Sequence, residues 1–307
     1  MKKMMGIKIR AVVFAVIFTL IFGKTVAYTF SGEDAMNFLV IGVDNASENT
    51  DVISVVRLDA GKKKVSFIQI PRDTYCNADV YQNKINHIYA SALSKGKDRS
   101  ESIKGLRDFL SDALSVNIHG HIVIDGEAFL KLVDSIGGVD IELDKDITLY
   151  NGEKAILSLK KGANHLDSAS AMLFVRHRSG YIRGDLERLE MQNIFIQGLF
   201  DTLTRRVGGA NILRVAGVLK MCETDISMKS LISLFSNRKS FSIASFEGEP
   251  LPGEAIKGKN GVWYYALNRR ACDELISRAF EIEPGRFDRE KRFMNVSDES
   301  FKNIYLK

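Results

Sequence analysis

The residues best suited to chemistry are concentrated in the stretch 164–192. Arg176 and Arg178 follow an apolar segment and share one face if the chain is extended there. Arg188 and Gln192 lie four residues apart in an amphipathic segment, on one helical face. Guanidinium groups packed this closely repel one another unless an anion shares the site, and their planar donors suit phosphate oxygens. The stretch therefore indicates a site for a doubly charged phosphate ligand, with a solvated helical face as the alternative.

Acidic residues stand where they could complement this anion site. Asp44 and Asp51 flank one loop between two predicted strands, and Arg72-Asp73 follow the end of a third strand. Loops at strand ends are where α/β sheets bind ligands. Two carboxylates beside phosphate-binding arginines are unfavourable unless a hard cation such as Mg²⁺ lies between them, although either residue alone could simply cap a turn. Lys84, which opens a helical stretch, could join the same site.

Periodicity predicts the elements that position these residues. Short apolar runs predict strands and amphipathic runs predict helices. The alternation favours an α/β class, a single α/β/α domain over residues 31–280 with a central mixed sheet covered by helices on both faces. The charged tail, 281–307, is expected to be loosely held. Strands are predicted at 36–43, 52–58, 64–70, 121–124, 139–143, 241–246 and 262–267, and helices at 100–114, 126–136, 185–206, 210–221 and 269–280.

Four of the five net positive charges lie at the N-terminus, because the basic segment 1–10 holds four lysines and arginines. The remaining chain is nearly neutral, which excludes a nucleic-acid binder. An apolar segment, 11–30, follows the basic one. It is interpreted as a transmembrane anchor of about 20 residues, with a cleaved signal peptide as the alternative. The basic end then lies in the cytoplasm and residues after about 31 lie outside the cytoplasmic membrane.

The three cysteines, Cys76, Cys222 and Cys272, lack the spacing of a metal site. An extracytoplasmic location permits a disulfide between Cys222 and Cys272. Buried free thiols are the alternative, and the spacing alone does not decide between them.

The order of several short motifs resembles the LytR-CpsA-Psr family, membrane-anchored transferases that attach glycopolymers to the bacterial cell wall. The resemblance covers about residues 36–206 and weakens toward 267. No single motif is specific, but the set in this order is. It consists of FLVIGVD, the Asp51 that opens the second strand, IPRDT, NKIN, FLKLVDSIGGVDIEL, G-x-x-x-L-D at 162–167, and VRHR followed by R-x-x-x-Q.

The resemblance implies a role for each candidate residue. Asp44 and Asp51 match aspartates that hold Mg²⁺, with Mn²⁺ as an alternative ion, and Asp51 also matches the proposed base for the acceptor hydroxyl. Asp73 matches the aspartate that orients neighbouring arginines, so the implied catalytic set is Asp51, Arg72 and Asp73. Helices near 103–113 and 125–136 would line a tunnel for a polyprenyl tail. The residues that match the family's pyrophosphate-binding set are Arg72, Lys84, Arg176, Arg178, Arg188 and Gln192.

The implied function is a Mg-dependent phosphotransferase. It would move a glycopolymer, such as teichoic acid or capsule polysaccharide, from a polyprenyl-pyrophosphate carrier to a peptidoglycan sugar hydroxyl and form a phosphodiester. Its partners would be the lipid-linked glycopolymer, peptidoglycan and the cytoplasmic membrane. The alternatives are hydrolysis of polyprenyl phosphates or pyrophosphates and a regulator that binds such lipids or wall polymers without turnover.

The sequence departs from the family pattern at three places. Asn49-Thr50 replaces the usual arginine-serine before Asp51, and Met191 replaces one arginine of the R-x-x-R-Q motif. Ser168 stands where a glycine is expected. The first two departures predict a weaker anion site, and the acceptor preference is expected to differ.

Overall fold

The computed structural model describes residues 35–43, 48–59, 61–62, 64–177, 185–206, 222–225, 245–258 and 261–297. The predicted anchor at 11–30 and the predicted helix at 210–221 lie outside the described residues. Among the helices that are described, none has the length and apolar character needed to cross a membrane.

The described chain contains twelve strands and six helices, with a short 3₁₀ turn at Tyr81–Asn83. The strands are β1 Ala35–Val43, β2 Thr50–Asp59, β3 Lys64–Gln69, β4 Gly120–Ile124, β5 Val139–Leu143, β6 Ile147–Asn151, β7 Lys154–Leu159, β8 Gly162–Leu166, β9 Glu223–Thr224, β10 Ser245–Pro250, β11 Gly253–Lys257 and β12 Trp263–Leu267. The helices are α1 His87–Ser94, α2 Arg99–Leu114, α3 Gly126–Ser135, α4 Ser168–Arg176, α5 Asp185–Arg206 and α6 Arg269–Phe280.

The central sheet grows from the most apolar runs of the sequence. Strands β10, β3, β2, β1 and β4 lie side by side in this order. Neighbouring residues of β1 such as Phe38 and Leu39 are both buried, as are Phe67 and Ile68 of β3. Successive side chains of a strand point to opposite faces, so these strands are covered on both sides. The predicted mixed α/β fold with a central sheet is confirmed.

The described chain divides into two compact units, and each combines segments that are distant in sequence. The first unit contains described residues of Leu58–Val65 and Ile124–Phe246. The second contains described residues of Met36–Arg57, Ser66–Val123 and Glu247–Lys307. Because neither unit is a contiguous half, no composition change in the sequence marks a boundary between them.

In the first unit, helix α5 packs directly on strand β5. The amide of Asp140 donates to the Thr202 hydroxyl over 3.1 Å. A Cβ at Gly198 would lie 2.5 Å from the Asp140 carbonyl oxygen, so only glycine permits this approach. Two antiparallel pairs, β5 with β8 and the hairpin of β6 with β7, complete the described strands of this region. Strands β6, β7 and β8 were not predicted from the sequence.

Helix α4 differs from the arrangement considered for its arginines. The Asp167 carboxylate accepts a hydrogen bond from the Ser170 amide over 2.8 Å and caps the helix, which then continues through Arg176. The prediction that Arg176 and Arg178 share a face assumed an extended backbone. Arg176 is instead the last residue of a helix. Arg178 itself lies outside the described residues.

The expectation of a loosely held tail is wrong for residues 281–297. Phe287, Phe293 and Met294 are buried, and the Asp288 carboxylate accepts hydrogen bonds from Arg269 and from two backbone amides. The Arg292 carbonyl also accepts a hydrogen bond from Asn77 over 2.7 Å. Three apolar side chains and one buried carboxylate anchor the segment. Because most of its other residues are charged, the sequence pattern did not indicate this packing.

All three cysteines are free thiols, so the Cys222–Cys272 disulfide that the sequence left open is not formed. Burial raises the pKa of Cys76 and of Cys272 to about 12, which makes both thiols poor nucleophiles at neutral pH.

Candidate active site

The IPRDT segment, residues 70–74, is held in place by backbone hydrogen bonds on two sides. On one side, the Asn86 amide donates to the Arg72 carbonyl over 3.2 Å, and the Ile85 amide donates to the Thr74 carbonyl over 3.0 Å. On the other side, the Tyr265 amide of β12 donates to the Asp73 carbonyl over 2.9 Å. The backbone carrying Arg72 and Asp73 is therefore fixed between the NKIN segment and β12.

Four charged side chains meet at this point, and all four belong to the larger set of site residues predicted from the sequence. Arg72 Nη1 lies 2.5 Å from Asp51 Oδ1, and Lys84 Nζ lies 2.9 Å from Asp73 Oδ1. Arg72 Nε is 3.8 Å from Asp73 Oδ2, which links the two pairs. The four side chains are between 11% and 23% exposed, so the cluster is shielded but reachable. We call Asp51, Arg72, Asp73 and Lys84 the charge cluster.

The carboxylates of the charge cluster fix the positions of its two cations. Asp73 contacts both cations and holds them in fixed positions, as an orienting carboxylate should. The two positive and two negative charges balance, so an incoming pyrophosphate would compete with Asp51 for the Arg72 guanidinium. A divalent cation at Asp51 would relieve that competition, because it would neutralise the carboxylate and bind phosphate oxygens.

Thr50 explains how the chain tolerates its departure from arginine-serine before Asp51. Its side chain is fully buried, and its hydroxyl donates to the Asn86 carbonyl over 3.3 Å. Threonine keeps the hydroxyl that a serine would supply. The start of β2 is thereby tied to the segment that carries Lys84, and Asp51 is held beside it.

The turn before Lys84 adopts a strained conformation. Gln82 and Asn83 have φ values of 54° and 50°, in the left-handed region that non-glycine residues rarely occupy. Asn83 is held by hydrogen bonds, from its side-chain amide to the Tyr75 hydroxyl and from the Cys76 amide to its carbonyl. Such strain costs about 1–3 kcal/mol per residue and persists where the surroundings over-determine it, often at functional sites.

Tyr264 lies under the lysine of the charge cluster. Lys84 Nζ is 5.6 Å from the Tyr264 ring centroid, and both residues are buried. The negative face of an aromatic ring stabilises an ammonium group at this distance. Tyr264 belongs to β12, about 180 residues from Lys84 in the sequence, so no local pattern could have indicated this contact.

Three other predicted phosphate-binding residues lie in the first unit, on helices α4 and α5, which pack against each other. They are Arg176, Arg188 and Gln192. Gln192 Nε2 donates to the Val175 carbonyl over 3.1 Å and so fixes α5 against the end of α4. Arg188 and Gln192 are 1% and 4% exposed, whereas Arg176, the last residue of α4, is exposed. Met191, the position of the missing arginine, is also buried.

Asp44, the second predicted metal ligand, lies outside the described residues, as does Arg178. Within the part of the chain that the structure describes, no three His, Cys, Asp or Glu side chains are placed to share a metal ion. Asp51 is the described carboxylate of the predicted pair. Its oxygen chemistry fits Mg²⁺, which is commonly held by one or two carboxylates with phosphate oxygens and water completing the shell.

His87 belongs to the surroundings of the charge cluster and was not singled out in the sequence. It begins α1, and its ring packs edge-on against Tyr81 with 5.0 Å between centroids. Partial burial lowers the pKa of His87 below its ordinary value, and the nearby charge of Lys84 lowers it further, against a smaller opposing effect of Asp73. The sequence signal that could have identified His87 is its position directly after the NKIN motif.

We expect His87 to make stability depend on pH. Because its folded pKa lies below the ordinary value of about 6.5, the unfolded chain binds more protons as the pH falls through that range. This contribution to the free energy of unfolding is present above about pH 6.5 and is lost as the pH falls toward the lowered folded pKa. Urea unfolding at a series of pH values should show a shallower acid-side loss for His87→Gln, and equal slopes would contradict the assignment.

Together, the site and the fold define a mixed α/β protein with a cluster of two cations and two carboxylates near one end of the central strands β2 and β3. The profile of the LytR_cpsA_psr family matches residues 21–281. The chain belongs to this family.

Named relatives agree with this membership. The polyisoprenyl-teichoic acid–peptidoglycan teichoic acid transferase TagU of Bacillus cereus (strain ZK / E33L) is 28% identical over 259 residues, which cover 81% of this chain and 79% of TagU. The crystal structure of B. subtilis TagV has a TM-score of 0.62 at 21% identity and covers 83% of this chain and 100% of TagV. The structure of the LytR-CPS2A-psr family protein YwtF (TagT) with bound octaprenyl pyrophosphate lipid has a TM-score of 0.58 at 20% identity. It covers 84% of this chain and 95% of TagT. The two structures show that the fold is shared.

Proposed function

We propose that this protein is a Mg-dependent phosphotransferase that moves an anionic glycopolymer from a polyprenyl-pyrophosphate carrier to a sugar hydroxyl of peptidoglycan. The charge cluster carries the proposal, because it places two phosphate-binding cations beside a carboxylate that can accept a proton. A relative named as a teichoic acid transferase and a neighbour that binds octaprenyl pyrophosphate support the same substrates. The predicted anchor at 11–30 would keep the site near a lipid carrier.

In this mechanism, Arg72 and Lys84 bind the pyrophosphate oxygens and counter the charge that builds up in the transition state. Asp73 holds both cations through the contacts described above. When bound, Mg²⁺ or Mn²⁺ would neutralise charge on the pyrophosphate, held by Asp51 with Asp44 as the second carboxylate that the family resemblance implies.

Asp51 accepts the proton of the acceptor hydroxyl. The acceptor oxygen forms a bond to the sugar-linked phosphorus, and the bond from that phosphorus to the bridging oxygen breaks. The bridging oxygen leaves with the polyprenyl phosphate, and the proton taken up by Asp51 passes to solvent or to this leaving group. The products are a sugar–sugar phosphodiester and polyprenyl phosphate, so charge and atoms balance without any other reactant.

The full chain in detergent, incubated with a polyprenyl-pyrophosphate-linked glycan, Mg²⁺ and peptidoglycan fragments, tests the proposal. We expect mass spectrometry to find a phosphodiester-linked product that requires the fragments and disappears with EDTA. Restoring excess Mg²⁺ after EDTA should restore the product, which controls for damage by the chelator. Phosphate release that ignores the acceptor would replace transfer with hydrolysis, and retained lipid without any product would indicate a binding protein.

A further inference from the structure

The hairpin formed by β11 and β12 presents an exposed aromatic ring beside a cation. Trp263, the single tryptophan of the sequence, is 55% exposed. Lys257 is its direct partner across the hairpin, and Lys257 Nζ lies 5.9 Å from the centroid of the indole ring. One face of the indole ring thus carries a positive charge over it, and the exposed part of the ring is a flat apolar surface.

The pairing of β12 brings the backbone of Trp263 near the segment that carries Arg72 and Asp73. The next residue, Tyr264, points into the protein and supports Lys84, as described above. Thr74 and Tyr265 form a parallel bridge, so β12 runs in the same direction as the segment that carries Arg72 and Asp73. Trp263 lies two residues before Tyr265, which places it toward the Arg72 end of this pairing.

A second exposed ring lies near the same cluster. Tyr81 is 66% exposed and packs against His87, whose pKa responds to the charges of Lys84 and Asp73. Among the described residues, Tyr81 and Trp263 are the most exposed large hydrophobic side chains. One exposed aromatic ring is ordinary on a protein surface, but two rings next to one charged site indicate a ligand surface.

We propose that Trp263 and Lys257 form the subsite for the acceptor glycan, a chain of N-acetylated sugars that carries carboxylates. This inference rests on the proposed function. The indole face would stack on the apolar face of a sugar ring, and the Lys257 ammonium would pair with a carboxylate of the same chain. Both contacts are made by groups that contribute little to the fold, because both side chains lie at the surface of the hairpin.

The acceptor is favoured over the donor as the occupant. A pyrophosphate-linked donor is already held by its phosphates at Arg72 and Lys84 and by its lipid tail. The acceptor brings only hydroxyl, amide and carboxylate groups, so its affinity has to come from stacking and from an isolated charge. Those are the two contacts that Trp263 and Lys257 offer.

Steady-state transfer by the full chain tests the subsite. We expect Trp263→Ala to raise the KM for peptidoglycan fragments by about tenfold, the loss expected for one well-packed aromatic contact, with the KM for the donor unchanged. Lys257→Met should give a smaller rise, about threefold, as for one exposed charge contact. Trp263→Phe should recover most of the affinity, because it restores an aromatic face. Tyr150→Ala, which removes a ring that is 45% exposed on β6, is the matched control and should change neither KM.

Fluorescence of the single tryptophan provides a test that does not need turnover. Titration with peptidoglycan fragments alone should change the Trp263 emission in a saturable way, and this change should weaken in Lys257→Met. If the wild-type protein makes no product, the proposed function fails, and the titration still decides the subsite. An unchanged acceptor KM in Trp263→Ala, an effect on the donor KM alone, or a titration without any emission change would each overturn the inference.

Discussion

Asp51→Asn is expected to abolish most of the transfer while leaving the protein folded. Asparagine keeps the shape of the side chain but cannot take the proton of an acceptor hydroxyl, and loss of a general base costs about 10²–10⁴-fold in rate. The Arg72–Asp51 pair is partly exposed, so its loss should reduce stability by only about 1 kcal/mol. The transfer rate with saturating donor and the midpoint of thermal unfolding measure the two effects separately.

The same variant makes an opposite prediction for binding. Without Mg²⁺, Asp51 competes with pyrophosphate for the Arg72 guanidinium, so removing its charge should leave the affinity for polyprenyl pyrophosphate equal or higher. Asp146→Asn is the matched control, because Asp146 also pairs with a cation, Lys160, but its side chain is 58% exposed and lies in the first unit. A transfer rate for Asp51→Asn close to that of the wild type would exclude Asp51 as the base.

The sequence predicted the central strands well because they are buried on both faces and read as continuous apolar runs. It missed β6, β7 and β8, whose residues are largely exposed or alternate weakly, so that neither length nor apolar content distinguishes them from loops. The sequence also wrongly predicted that residues 281–297 are loosely held. There, Asp288 satisfies buried backbone amides, and an isolated buried carboxylate gives no periodic signal.

The candidate site was also predicted in part. The family resemblance singled out Asp51, Arg72, Asp73 and Lys84, and the structure brings their charged groups together. Tyr264 could not be predicted as part of the site, because β12 pairs there with a segment that is distant in the sequence. Its contribution depends on tertiary pairing, which neither charge pattern nor spacing along the chain encodes.

Met191 illustrates how a sequence departure is read differently once burial is known. In the sequence, methionine at this position predicted a weaker anion site. In the structure, Met191 is 5% exposed and stands between Arg188 and Gln192 on one buried side of α5. Methionine adapts to irregular apolar packing, so this substitution has a structural use that is independent of phosphate binding.

Arg188→Met is expected to lower both the stability and the transfer rate of the protein. Arg188 is among the largest fully buried side chains of the described chain. Arg188 is not without a partner, and removing one member of a buried charged contact leaves the other member uncompensated. The free energy of unfolding should therefore fall by about 3 kcal/mol. If the guanidinium binds pyrophosphate, the transfer rate should decrease by about 10²–10³-fold, the loss that follows removal of one preorganised hydrogen-bond donor.

Two further variants make this result interpretable. Arg188→Ala leaves a cavity as well as removing the charge, so it should lower stability by about 3 kcal/mol or more and reduce transfer to the same extent as the methionine variant. Arg270→Met removes a guanidinium from an exposed helical pair with Glu274, with 91% of the arginine side chain exposed, and should alter neither quantity. Denaturant unfolding and transfer rates on the same preparations give the comparison. Full transfer by a stable Arg188→Met protein would mean that this arginine supports α5 rather than the substrate, and pyrophosphate binding would then depend on the charge cluster of the second unit.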